Sequence, residues 1–340
     1  FRGQTYPYPD YAIDGIWFRE FVELPYFFPA SELQQVEILR SSSALLSGLA
    51  GVAGVINIVP RTYAERHTYL DAEAGEYNSY RGSLSHYEPL GDGGVYAGVR
   101  HYTTDNHRDF GEEEMTTAAL RFEQGLSETL TIDGNLFYIE GKRELIQARE
   151  PASARFRNWF ESFDPFRAVI GTLRATYQPS DSTSTELAVW GADRRADYTR
   201  YDASSDKTTQ HDDDDYEYGA QVIQALTPAD NNVLRIGALY HRWVVPDGKR
   251  FYTGRPVDIH TISAVAVDEQ TFDKLTVDAG LRVSREYVEE FGAFSIEGSG
   301  GGFRSVEAIE DDWAEPLYRA NLGARYAALD TLTVYGNYGF

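Results

Sequence analysis

The stretch LTVDAGLRVS at residues 275–284 sets Leu275, Val277, Ala279, Leu281 and Val283 on one parity and Thr276, Asp278, Gly280, Arg282 and Ser284 on the other. Strict alternation of this kind is the period of a β-strand with one apolar and one polar face, because successive side chains point to opposite sides of the backbone. The period recurs along the chain. Leu130, Ile132, Leu136 and Tyr138 alternate with Thr131, Asp133 and Asn135, and Val169, Leu173, Ala175 and Tyr177 alternate with Thr172, Arg174 and Thr176. Leu332, Val334, Tyr338 and Phe340 repeat it, as do residues near 234–240. Weaker versions lie near 67–75, 80–88, 95–104, 216–226 and 257–268, for about thirteen strands from residue 67 onward.

The connections choose among β architectures. Short ones (124–128, 178–184, 227–231, 270–274, 328–331) alternate with long polar ones at 105–115, 142–165, 194–216, 243–256 and 286–317. A transmembrane barrel has short turns at one end and long loops at the other, whereas a soluble sandwich has no reason to sort them. Strands that face lipid on one side and an aqueous or plugged lumen on the other also account for a mean hydropathy of −0.44. Arg100, Asp133, Arg174, Asp278, Arg282 and Arg325 fall on the lumen register. Tyr138, Trp190, Tyr240, Trp243, Tyr335 and Tyr338 stand at strand ends, where interfacial girdles are expected. The fold class is therefore mostly β, a transmembrane antiparallel β-barrel.

Composition removes other classes. The formal charge of −22 disfavours nucleic acid as a partner. No run approaches the roughly 18 apolar residues of a spanning helix, and the chain has no cysteine, so thiolate metal sites and disulfides are excluded. No two of the seven histidines show an HExxH-type spacing, and the many acids have no identifiable nucleophile. Catalysis, a cofactor and a resident metal are not expected. The acidic runs 112–114, 212–215 and 310–312 fall in the expected long loops, where solvation is the favoured reading and divalent cations the alternative.

Residues 1–66 lack the loop rhythm and hold four prolines in the first 30 positions, Pro7, Pro9, Pro25 and Pro29. They read as a separate α+β unit, with 67–340 as the barrel. Within it, VEILR at 36–40 precedes a small-residue stretch containing Ser43, Ala44, Leu45 and Gly48, followed by GVINI at 54–58; Phe1-Arg2-Gly3 and Ile13-Asp14-Gly15 lie upstream. This series resembles the end of the plug domain of TonB-dependent outer-membrane receptors, with Ser41-Ser42 in place of the family's Gly-Pro and Leu46 in place of its Tyr. Glycines 48, 51 and 54 are expected to allow tight packing, and Glu37 and Arg40 to bridge plug and wall.

The resemblance implies a plug inside a 22-stranded barrel, of which this chain holds the second half of the plug and about thirteen strands. Roughly nine strands would then be missing, since such barrels close on an even number; the alternative is that Phe340 is the true C-terminus. It also implies the bacterial outer membrane, contact with its lipid and lipopolysaccharide, a ferric siderophore or other metal chelate as ligand, and a TonB-recognised segment upstream of residue 1. Arg2 is carried over from the family's IRG arginine. Tyr6, Tyr8, Tyr11, Trp17 and Arg19 on the plug are the other binding candidates, with Arg149, Arg155, Arg157 and Trp159 in the 142–165 loop. Aromatic faces and guanidinium forks suit flat, partly anionic chelates. Cobalamin, heme and oligosaccharide are alternative cargoes, and a soluble β-rich binding or adhesion module is the alternative of another class.

Overall fold

The structure, a computed structural model, describes residues 10–19, 27–40, 42–48, 54–108, 110–145, 158–246, 256–291, 309–329 and 331–339. Four short strands come first: β1 (Asp10–Ile13), β2 (Ile16–Phe18), β3 (Leu33–Leu39) and β4 (Val55–Pro60), in the order β2-β1-β4-β3. Gly54, at φ 92°, supplies the left-handed residue that turns the chain into β4. The small-residue stretch forms a 3-10 turn at Ser42–Leu45. Glu37, expected to reach the wall, instead bonds Asn57 within this small sheet at 2.8 Å. The wall does meet Arg40, through its backbone carbonyl, which accepts from Asn321 and Asn337.

A 14-stranded antiparallel sheet follows. It runs through β5 (His67–Gly75), β6 (Ser79–Pro89), β7 (Gly93–Thr104), β8 (Glu113–Ser127), β9 (Leu130–Leu145), β10 (Trp159–Ser180), β11 (Thr183–Asp202) and β12 (Lys207–Ala229). It continues through β13 (Asn232–Val245), β14 (Val257–Phe272), β15 (Leu275–Phe291), β17 (Leu317–Leu329) and β18 (Leu332–Gly339). The short β16 (Ile309–Trp313) pairs the far end of β15. Sequence neighbours pair throughout, and the thirteen strands of the continuous path match the alternation count. Short turns gather at one end and long connections at the other.

One expected loop is absent. Residues 194–216 continue as strand, and β11 and β12 close through 203–206. The reason is cross-strand charge: Arg194 lies opposite Asp215 and Arg195 opposite Asp214, pairs that favour a ladder although the stretch reads as polar. The other acidic runs are also strand residues in part, with Glu113 opposite Arg143, Glu114 opposite Lys142, and 310–312 inside β16. At the hairpin tip Asp202 accepts from the Ser204 hydroxyl (2.6 Å) and amide (2.9 Å), which hold its carboxyl below the usual range.

The main core lies between the small sheet and the concave face of the large one. Tyr11, Ile13, Ile16, Phe18, Phe27 and Ile58 meet Phe137, Ile139, Phe166, Ile170 and Trp190 across Ala168, Ala188, Ala192 and Ala196. Those alanines leave the space that the plug's larger side chains fill. Phe27 stacks on Phe166 at 3.7 Å between ring centroids. Burying each large apolar side chain contributes roughly 1.5–3 kcal/mol. The convex face carries the opposite pattern: Leu84, Leu120, Leu136, Leu187, Ile236, Ile262, Leu281 and Val334 are all exposed. So extensive an apolar belt on the outer surface has the pattern of the outward-facing band of a transmembrane barrel. Tyr138, Tyr240 and Tyr338 are on the outer surface; Tyr335, expected beside them, shares the inner parity of Arg325 and Asn337, and Trp190 and Trp243 are buried on the inner face.

Candidate functional site

The plug and wall meet in a buried ionic knot. Alternation puts Arg194 of β11, Asp215 and Glu217 of β12, and His241 and Trp243 of β13 on the inner face at one height. Arg194 hydrogen-bonds Asp215 (Nε to Oδ1, 3.0 Å) and forms an ion pair with Glu217 (Nη1 to Oε1, 2.8 Å), all three being fully buried. Glu217 also accepts from the backbone N–H of Arg19 (2.9 Å) and lies 2.6 Å from Nε2 of His241. Trp243 donates its indole N–H to Asp215 at 2.7 Å. Two carboxylates thus share one wall guanidinium, an imidazole, an indole and a plug amide. A single loss would leave charge stranded in low dielectric.

Arg19 is the plug's contribution. Its guanidinium bonds Glu286 of β15 at 2.6 Å, reaches Thr261 at 3.4 Å and lies 5.1 Å from the Trp243 ring, while its carbonyl accepts from Arg194 at 3.0 Å. Trp17 is 2% exposed and packs against His241 at 4.7 Å; Tyr11, at 9%, belongs to the same core. These two candidates are packing residues in this arrangement, because their rings are covered by the wall. Arg2, Tyr6, Tyr8, Arg149, Arg155 and Arg157 lie outside the described residues.

Beyond the knot, toward the long-loop end, the inner wall changes character. Trp159 stands at the start of β10 with the Arg200 guanidinium 4.4 Å over its ring. Tyr198 bonds Glu161 and packs on Phe163, which in turn meets Phe27 of the plug. Across the concavity Trp243, Val245, Ile259 and Val288 form an apolar patch with Val257 and Phe291. The inner wall at this end thus carries two guanidinium–indole pairs, Arg200 with Trp159 and Arg19 with Trp243, beside the apolar patch. Arg19 and Trp159 are the binding candidates from the sequence that stand here. Arg200 and the knot residues Arg194 and Asp215 were not among them, because 194–216 reads as a polar loop, and Trp243 was placed in a girdle.

A second anchor lies on β15. Arg282 is buried and donates to the carbonyls of Leu45 (2.7 Å) and Gly48 (2.6 Å), Asp278 accepts from the amide of Ser42 (2.9 Å) and its hydroxyl, and Gly280 sits between them. A Cβ at Gly280 would come 2.8 Å from both Leu45 and Ser42, so the close approach requires glycine. Arg174 of β10 reaches Asp14 at 3.0 Å. Three of the lumen residues read from the sequence therefore hold the plug chain directly.

Comparison with solved structures gives this arrangement a place. The ferric-catecholate import receptor Fiu of E. coli, in its open form, superposes with a TM-score of 0.72 over 97% of this chain at 16% identity, and the chain covers 62% of Fiu. This is the plugged-barrel fold of the siderophore receptors. The siderophore receptor PiuA of Acinetobacter baumannii shares it, with a TM-score of 0.70 and 15% identity over 97% of this chain and 56% of PiuA. So does the ferric yersiniabactin uptake receptor FyuA of Yersinia pestis, at 0.69 and 15% over 96% and 54%. In sequence, 77 residues, 22% of this chain, are 35% identical to 9% of the ferric-pyoverdine receptor PbuA of a Pseudomonas strain. The chain thus spans less than two thirds of the receptors it superposes on. No family profile matches the sequence.

Proposed function

We propose that the protein is a TonB-dependent outer-membrane transporter that binds a ferric siderophore at the long-loop end of its barrel and imports it past the plug. Residues 1–66 act as the plug part and 67–340 as the barrel part. The observation that carries the reading is the grouping of aromatic rings and guanidinium on the inner wall at this end, with Arg200 over Trp159 beside Tyr198, and Arg19 of the plug further in. Guanidinium offers paired hydrogen bonds to catecholate or carboxylate oxygens, and the rings take the flat parts of a chelate. Arg2, Tyr6, Tyr8, Arg149, Arg155 and Arg157 are assigned to the same pocket. The siderophore receptors it superposes on support this cargo over cobalamin, heme or oligosaccharide.

Tryptophan-fluorescence titration of the protein in detergent against ferric catecholates, cobalamin and oligosaccharides tests it. Saturable quenching by submicromolar ferric chelate, on the order of −8 kcal/mol or better, is the expected result, weakened about tenfold by Arg200→Ala. A response to sugar or cobalamin alone would keep the transporter and replace its cargo.

A further inference from the structure

On the convex face, just past the apolar belt at the long-loop end, β13, β14 and β15 bring together Asp258, His260 and Glu289. One ligand atom from each lies within 4.8 Å of the others; Nε2 of His260 is 3.2 Å from Glu289 Oε2 and 3.7 Å from Asp258 Oδ1. Glu289 shares the outer face with Tyr287, two residues back along β15, and sits at a register break. Asp258 pairs Glu290 while Ile259 pairs Val288, so Glu289 is the extra residue of a bulge, a device that re-aims one side chain.

Neighbours hold His260 and Asp258, and Arg242 Nη2 also lies 3.5 Å from Glu289 Oε2. The Tyr240 hydroxyl is 2.9 Å from Nδ1 of His260, so it accepts the Nδ1 proton in the tautomer that leaves the Nε2 lone pair facing both carboxylates. Arg242 donates from Nε (2.9 Å) and Nη2 to the two oxygens of Asp258, fixing that carboxylate's plane. Metal-binding histidines typically have such an acceptor on the second nitrogen, and ligating carboxylates such a donor. Around the wall Tyr240, His260, Tyr287 and Trp313 follow one another at 6.0, 5.9 and 5.2 Å between centroids, an aromatic row at girdle height. The open side of the cluster therefore faces the headgroup layer and water.

We infer that Asp258, His260 and Glu289 form a divalent metal site on the outer wall, with Tyr240 as the positioning residue for the imidazole. One imidazole and two carboxylates suit Zn²⁺ or Mn²⁺ better than the all-oxygen coordination of Ca²⁺. Spacing along the chain did not reveal the site, because its ligands come from two strands and a bulge. The site is separate from the proposed ligand-binding residues, which lie on the inner face of the sheet.

Calorimetric titration of the detergent-solubilised protein with Zn²⁺ tests the inference, with EPR of Mn²⁺ as a second reading. The expected result is one Zn²⁺ per chain, lost in His260→Ala and in Glu289→Gln, retained in His86→Ala elsewhere on the outer wall, and weakened roughly 10-fold or more in Tyr240→Phe. Circular dichroism confirms that each variant keeps its sheet. Zn²⁺ binding that survives both His260→Ala and Glu289→Gln, or Ca²⁺ binding of equal strength that ignores His260→Ala, would overturn it, as would the absence of stoichiometric binding to the unaltered protein.

Discussion

His241 and His260 lie on adjacent strands and face opposite sides of one wall. The inner histidine is fully buried, wedged by Trp17 and held by Glu217, whose other oxygen binds Arg194. The outer one is partly exposed, with two carboxylates converging on its Nε2. On the inside Glu217, Arg194 and Glu286 each bond Arg19 of the plug, which couples the plug to the wall. Outside, charges pair along the strands. The same alternation that makes a barrel thus separates a sealing face from a solvent-facing one.

The contrast breaks most readily at Glu217. Glu217→Ala should leave Arg194 with half its pairing in a dry site and remove an acceptor from the Arg19 amide, a loss of roughly 3–5 kcal/mol read by urea unfolding in detergent; Glu217→Gln should lose less. Arg282→Met removes two charge-assisted bonds to the plug carbonyls of Leu45 and Gly48, with an expected loss of about 1.5–3 kcal/mol, read as faster hydrogen exchange through 42–48. Gly280→Val should cost about 1–3 kcal/mol by overpacking the same seat, and the substitution should act on 42–48 rather than on distant strands. On the outer face, Arg195→Ala removes an exposed pair with Asp197 at 2.9 Å and is expected to shift stability by less than about 0.5 kcal/mol. An outer-face effect as large as that at Glu217 would erase the distinction between the two faces.

Much of this was legible in the sequence. Leu275 to Ser284 gave both the strand and its two faces, and Asp278 and Arg282 proved to touch the plug as their parity suggested. Loops were less readable, since Arg194, Arg195, Asp214 and Asp215 look like loop residues until their cross-strand partners are known. Trp17 and Trp243 show the other limit. Aromatics near strand ends suit a ligand pocket, a girdle or a core equally, and only the packing partner decides. The bulge at Glu289 was invisible because register is a property of strand pairs.

The central claim is transport of a ferric chelate through a plugged barrel. Its most direct test is uptake of radiolabelled iron, supplied as ferric catecholate, by cells that lack their own receptors and produce this protein in its full-length form. Uptake that requires TonB and falls in Arg200→Ala is the predicted result. Equal uptake with and without the protein, or a protein that fractionates away from the membrane, would contradict it.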